Sequence, residues 1–181
     1  NIFYRDVSNV IEDVGIYRVD GSTLYSYANT GDGETWGVEM DLNYPVTDQT
    51  GFFANYTWLD SEITDQFTGE TRQFMEQPDY VYNVGLTHNL PDWDMSTGLS
   101  YQKQGQSLEV ELDREKVLQY DGNLEIFIEK RFENDYVLRL TGTNLLDAEK
   151  REYFTHYDGD TAAEILANHK AGDVDELETE V

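Results

Sequence analysis

Carboxylates dominate the reactive groups of this chain: 37 Asp and Glu stand against 12 Lys and Arg in 181 residues, a formal charge of −25 at pH 7. The chemistry open to them is proton transfer, glycosidic cleavage between paired acids, or capture of hard cations. Glu39, Asp41, Glu125 and Glu129, with Arg131 and Arg139, fall on one alternating face, and any two of the acids could be drawn as a glycosidase pair. With acids this frequent the match is uninformative, and a hydrated face explains them. Asp13 and Asp20, Asp32 and Glu34, and Asp158, Asp160, Asp173 and Asp175 offer oxygen ligands for calcium. They lack the repeated acid spacing of an EF-hand loop and read as solvated loop charge. His88, His156 and His169 have no metal-ligand spacing, and there is no Gly-x-Ser-x-Gly elbow or phosphate loop. Neither an enzyme nor a bound metal or cofactor is expected.

The excess negative charge repels phosphate backbones, which argues against nucleic acid and leaves cations or sugars as better ligands. Zero cysteines remove disulfides and thiolate metal sites, and say little about compartment. Aromatic side chains on long connections are the ligand-contact candidates: Tyr17, Tyr25, Tyr27, Phe67, Phe74, Tyr153, Phe154 and Tyr157. Loops on a rigid scaffold carry recognition, and aromatic faces stack on sugars or chelates.

The scaffold that would hold these loops is read from period two. Thr35 to Tyr44 puts Trp36, Val38, Met40, Leu42 and Tyr44 on one face and Thr35, Gly37, Glu39, Asp41 and Asn43 on the other. Gly51 to Trp58, Tyr80 to Leu90, Met95 to Gln102, Leu124 to Glu129 and Tyr136 to Asn144 alternate in the same way, and Ile2 to Ile11 is a strand of ambiguous facing. That makes about seven strands. Three short turns, Pro45 to Thr50, Pro91 to Asp94 and Glu133 to Asp135, alternate with long connections expected to be irregular: Asp13 to Leu24, Ile63 to Pro78, Gln106 to Gln119 and everything after Asp147. Thr161-Ala162-Ala163-Glu164 is a capping box that predicts one short helix within Thr161 to Lys170, ended by Gly172.

Alternation alone fits a soluble sandwich as well as a membrane barrel. No apolar run approaches the ~20 residues of a spanning helix, so only a barrel could cross a bilayer. The aromatics favour that reading, because Tyr44, Phe52, Trp93, Phe132 and Tyr136 cluster at the short turns while Trp36, Trp58, Tyr80, Tyr82 and Tyr120 sit toward the long loops. Two such bands around an aliphatic middle suit the two interfaces of a membrane. The chain has no signal peptide, and its opening on Asn1 within an apolar pattern reads as part of a longer protein.

Four motifs in order then carry a resemblance. Asn1-Ile2-Phe3-Tyr4-Arg5-Asp6-Val7-Ser8-Asn9-Val10-Ile11-Glu12 is similar to a late barrel strand of TonB-dependent receptors. Asn29-Thr30-Gly31 followed by Gly37-Val38-Glu39 and Tyr44, then Gln77-Pro78 opening Tyr80 to Leu90, resemble the next segments of that family. Thr143-Asn144-Leu145-Leu146-Asp147 is similar to its Asn-Leu-Leu-Asp signature. The resemblance implies an all-β fold, an antiparallel up-and-down meander of about seven strands within a transmembrane β-barrel of ~22 strands around a plugged lumen. Residues 1–181 would be the C-terminal barrel region, with the plug domain and most of the last strand absent. It further implies the bacterial outer membrane, uptake of a scarce nutrient such as a siderophore, vitamin or oligosaccharide, and lipid, the receptor's own plug, TonB and a small ligand as partners. The alternative from composition and periodicity is a soluble all-β binding module, possibly carbohydrate-directed, with a barrel or sandwich hydrolase third. Solution behaviour separates the first two: a wall segment aggregates without amphiphile, whereas a soluble module is monodisperse in plain buffer by light scattering.

Overall fold

The computed structural model describes residues 1–17, 23–67, 69–172, 174 and 176–180, with 15–17, 23–25, 162, 170 and 176 described through their backbone alone. One sheet contains β1 (Ile2–Tyr17), β2 (Thr23–Pro45), β3 (Thr50–Thr64), the two-residue β4 (Thr71–Arg72), β5 (Tyr80–Leu90), β6 (Met95–Gln104), β9 (Asn123–Arg131) and β10 (Val137–Gly142). Its order is β1-β2-β3-β5-β6-β9-β10, with β4 paired to β3. All neighbours are antiparallel, which is an up-and-down meander. The second sheet, ordered β12-β11-β8-β7, holds β7 (Ser107–Val110), β8 (Arg114–Tyr120), β11 (Lys150–His156) and β12 (Glu176–Glu180).

The second sheet prolongs the first. Gln102 pairs with Asn123 in β6–β9, and Ser107 with Leu118 in β7–β8, so five steps forward on one strand match five steps back on the other and a single register runs through both pairs. The ladder breaks only around Gly105 and Gly122, where the rings of Tyr80 and Tyr101 lie against the glycines. β11 likewise continues β10 on the same flank, after a kink built by Asn144-Leu145-Leu146-Asp147. Asn144 and Asp147 both have positive φ, 53° and 52°, a conformation their short polar side chains tolerate. The Asn144 carboxamide oxygen accepts the Ala148 amide at 2.6 Å, so the signature motif is a turn that re-aims the strand.

The three short turns lie at one end of the first sheet, as the meander requires. Backbone bonds run from one to the next: Asn89 N–H donates to Gln49 at 2.8 Å, and Arg131 N–H to Asp94 at 2.9 Å. The four long connections are less irregular than expected. Asp13 to Leu24 is largely the paired ends of β1 and β2, Gln106 to Gln119 is the β7–β8 hairpin, and the stretch after Asp147 contributes β11 and β12. The predicted helix is α1, Ala162–Ala171: the Thr161 hydroxyl accepts the Glu164 amide, the Glu164 carboxylate accepts that of Asp160, and Gly172 closes it in the left-handed region. β12 is five residues long and antiparallel to β11.

Facing follows from register. Tyr44, Phe52, Leu86, Leu99 and Ile126 are successive cross-strand neighbours, as are Leu42, Ala54, Val84, Tyr101 and Leu124. On the opposite face Asp41, Asn55, Asn83, Gln102 and Asn123 make the corresponding row. The aliphatic face carries no second layer among the described residues: Met40 is 63% exposed and Leu140 65%. A sandwich would use that aliphatic face as its core. The core of this chain is instead small and lies in the far half, around Ile63, Val14, Val110, Leu118, Phe154 and Ile165.

Phenylalanines on the polar face lie over cross-strand glycines, Phe53 on Gly85 and Phe127 on Gly98. A Cβ at Gly98 would stand 2.2 Å from the Phe127 ring, whereas one at Gly142 would meet Leu145 at an ordinary 3.4 Å. Gly98→Val is therefore expected to destabilise the sheet by about 1–3 kcal/mol through overpacking. Gly142→Ala should be near neutral in the same thermal unfolding measurement in detergent.

Candidate functional site

Beyond the rows just described, toward the ends away from the short turns, strands of both sheets form a distal layer that contains most of the buried charge. Glu12 on β1, Thr30 on β2, Asp65 just after β3 and Arg72 on β4 converge there. The Arg72 Nη2 group lies 2.7 Å from both Glu12 Oε2 and Asp65 Oδ2, and Nη1 donates to the Gln73 carbonyl at 2.9 Å. Thr30 donates to Glu12 at 2.6 Å and the Met75 amide at 2.8 Å. All three charged side chains are less than a tenth exposed. Burial pushes the Glu12 carboxyl up, but the bonds from Arg72, Thr30 and Met75 outweigh it and hold Glu12 below the ordinary carboxylate range. Burial likewise works against the Arg72 charge, and the two carboxylates reverse that effect. A carboxylate so fully supplied with donors is a poor proton acceptor, and the cluster ties β1, β2, β3 and β4 together.

Beside it lies a cleft of about 240 Å³ between the β1–β2 pair and β7. Ile11, Tyr27, Met75 and Val110 give it apolar surface, and Asp13 and Glu76 give it charge. Among the described residues no three His, Asp or Glu side chains are arranged to hold a metal ion.

The sequence-predicted ligand contacts are spread over this layer. Tyr27 lines the cleft and is 77% exposed, Phe67 sits exposed on the turn after β3, and Tyr153 is half-exposed on β11. Phe74 is half-buried with its ring against Gly33. Phe154 and Tyr157 are buried, Phe154 beneath the Arg114 guanidinium and Tyr157 stacked on His169. Tyr17 and Tyr25 belong to β1 and β2, and their side chains lie outside the described residues, as do Asp20, Asp173 and Asp175. The Glu12–Asp65–Arg72 cluster has no signature in the sequence, because its members are 53 and 7 residues apart and meet only through strand pairing.

The aromatics singled out in the sequence lie at both ends of the first sheet. Tyr44 and Phe52 are register neighbours on the aliphatic face, and Trp93, Phe132 and Tyr136 are exposed at the short turns. Trp58 neighbours Val38 and Tyr80 on the same face, and Trp36 pairs with Tyr4. Trp36 and Trp58 lie eight and six residues along their strands from Tyr44 and Phe52, about 26 and 20 Å at ~3.3 Å per residue. An apolar band of about 25 Å between aromatic girdles is what a barrel wall in lipid presents.

Residues 1–149 match the family described as "TonB dependent receptor-like, beta-barrel". A similar protein is the "Probable TonB-dependent siderophore receptor PiuA" of Acinetobacter baumannii, 35% identical over 75 residues, which are 41% of this chain and 9% of that protein. The chain thus matches well under two thirds of that relative's length. No solved structure matches.

Removing Arg72 leaves two buried carboxylates facing each other without a counter-charge, a loss of about 3–5 kcal/mol for a broken buried pair. Arg72→Met should therefore open the segment 65–76 to hydrogen exchange at neutral pH. The folded Glu12 value is depressed, so in the parent its contribution is present above the unfolded value of ~4.3 and lost as pH falls through the folded one. The variant has no such contribution to lose, and its deficit against the parent should shrink on acidification.

Proposed function

Because this chain belongs to the TonB-dependent receptor-like β-barrel family, we propose that it supplies part of the wall and the outer mouth of an outer-membrane receptor that imports a scarce nutrient. The first sheet is the wall, its aliphatic face against lipid between the two aromatic bands and its polar face toward the lumen and the receptor's plug. The distal layer is the external mouth. Residues 1–181 belong to the C-terminal barrel region on this reading, and transport depends on the plug and on energy delivered through TonB.

The observation that carries the proposal is the pairing of an uncovered aliphatic face with a polar face on one antiparallel meander. A soluble module would have to bury the first, and roughly 25 cal/mol per Å² of exposed apolar surface drives it out of water. The mouth binds substrate through exposed aromatics, of which Tyr27, Phe67 and Tyr153 are presented outward. Siderophores stand first among the nutrient classes, since the similar Acinetobacter baumannii protein is named a probable siderophore receptor. Vitamins and oligosaccharides follow.

The test is uptake by cells carrying the intact receptor. Growth on a labelled ferric siderophore should depend on both the receptor and TonB. Combined replacement of Tyr27, Phe67 and Tyr153 by Ala should weaken ligand binding by about tenfold or more, ~1.4 kcal/mol, with the receptor still in the outer membrane. Recovery of the protein in the soluble fraction, or uptake of all three nutrient classes unaffected by its deletion, overturns the proposal.

A further inference from the structure

Helix α1 is fastened to the distal layer at one titratable point. His169, in its last turn, is 5% exposed, and its Nε2 group lies 3.0 Å from the Glu115 carboxylate on β8 and 3.8 Å from that of Glu70 on the turn after β3. Its ring stacks on Tyr157 at the end of β11, centroids 4.3 Å apart and planes 7° from parallel. The backbone of Leu112, from the β7–β8 turn, faces the ring as well. Three connections far apart in the sequence therefore meet on one imidazole. The helix also packs through Ile165 at 1% exposure, and Asn168 donates to the Asp158 carbonyl at 2.7 Å.

We infer that His169 is the pin of a proton-operated latch, which in its charged form clamps α1 against β8 and the turn after β3 and in its neutral form lets the helix lift from the mouth. An imidazolium over a Tyr face gains cation–π attraction that neutral imidazole lacks, which works against the cost of a protonated Nδ1 buried without a hydrogen-bond partner. The bond to Glu115 raises His169 against the effect of its burial, and the charges of Glu115 and Glu70 add to it. The partners do not titrate in the same range. Glu115 is lowered, chiefly by its bond from His169, and stays charged, while burial pushes Tyr157 further above its usual value and keeps it neutral. A folded value raised above the unfolded ~6.5 means that the clamp is fully present below that pH and is lost as pH rises through the folded value.

The latch goes beyond the receptor reading, and its test does not require transport. Hydrogen exchange of the intact protein, corrected for the intrinsic pH dependence of the chemistry, reads it in peptides spanning 158–172 and 65–72. Protection should hold from pH 5 to the ordinary histidine range and fall severalfold together in both peptides at higher pH. His169→Gln should abolish the pH dependence, and Glu115→Gln should move its midpoint down toward the ordinary histidine value. Should His169→Gln fail to dock the helix at any pH, Glu115→Gln and Glu70→Gln keep the ring and read the same midpoint. Protection in the parent that is flat across this range, a pH dependence that survives His169→Gln, or a midpoint that ignores both carboxylates overturns the latch.

Discussion

Everything in this chain hangs on a backbone ladder that runs from the first sheet into the second. An unpaired amide or carbonyl costs several kcal/mol where water is excluded, so strands on a lipid-facing wall must pair along their full length. The same strands keep their neighbours past the first sheet: β7–β8 is β6–β9 continued in one register, and β11 stays beside β8 as β10 stays beside β9, with a two-residue slip taken up by the kink at Asn144 to Asp147. Side-chain chemistry changes abruptly between the halves while the order of the strands does not.

That split explains what could be read in advance. In the first sheet one face is aliphatic and the other polar, so alternation is strong, and β5 occupies Tyr80–Leu90 as the pattern requires. The turns, the facing of Val38, Met40, Leu86 and Leu138, and the capped helix were legible for the same reason, each being a local rule with a local signal. The distal strands were not. Both of their faces carry polar groups, so sequences such as Arg-Glu-Lys-Val-Leu-Gln-Tyr in β8 and Glu-Leu-Glu-Thr-Glu in β12 show charge where a half-buried strand would show period two. Cross-strand ion pairs stand in for apolar contact there: Lys116 meets Glu109 directly opposite on β7, and Arg114 binds Glu111 at 2.7 Å.

Buried charge is the second feature that no local pattern reveals. Glu12, Asp65 and Arg72 lie among residues that read as loop acids and one loop base, and their environments are decided by strand pairing alone. The net charge of −25 looked like uniform solvated excess. In the structure, some of those acids organise the distal layer: Glu12 and Asp65 gather four strands around one guanidinium, and Glu115 and Glu70 gather three connections around one imidazole.

The break at Gly105 and Gly122 has a mechanical meaning. A hydrogen-bonded ladder is stiff in its own plane and along its strands, and it yields first where rungs are missing. Here that is one strand pair, because on its other side Gly105 still donates to the Tyr80 carbonyl at 2.7 Å, and the rings of Tyr80 and Tyr101 pack against the two glycines. Compliance is thereby local, a notch between β6–β9 and β7–β8 in a sheet whose neighbouring ladder carries on.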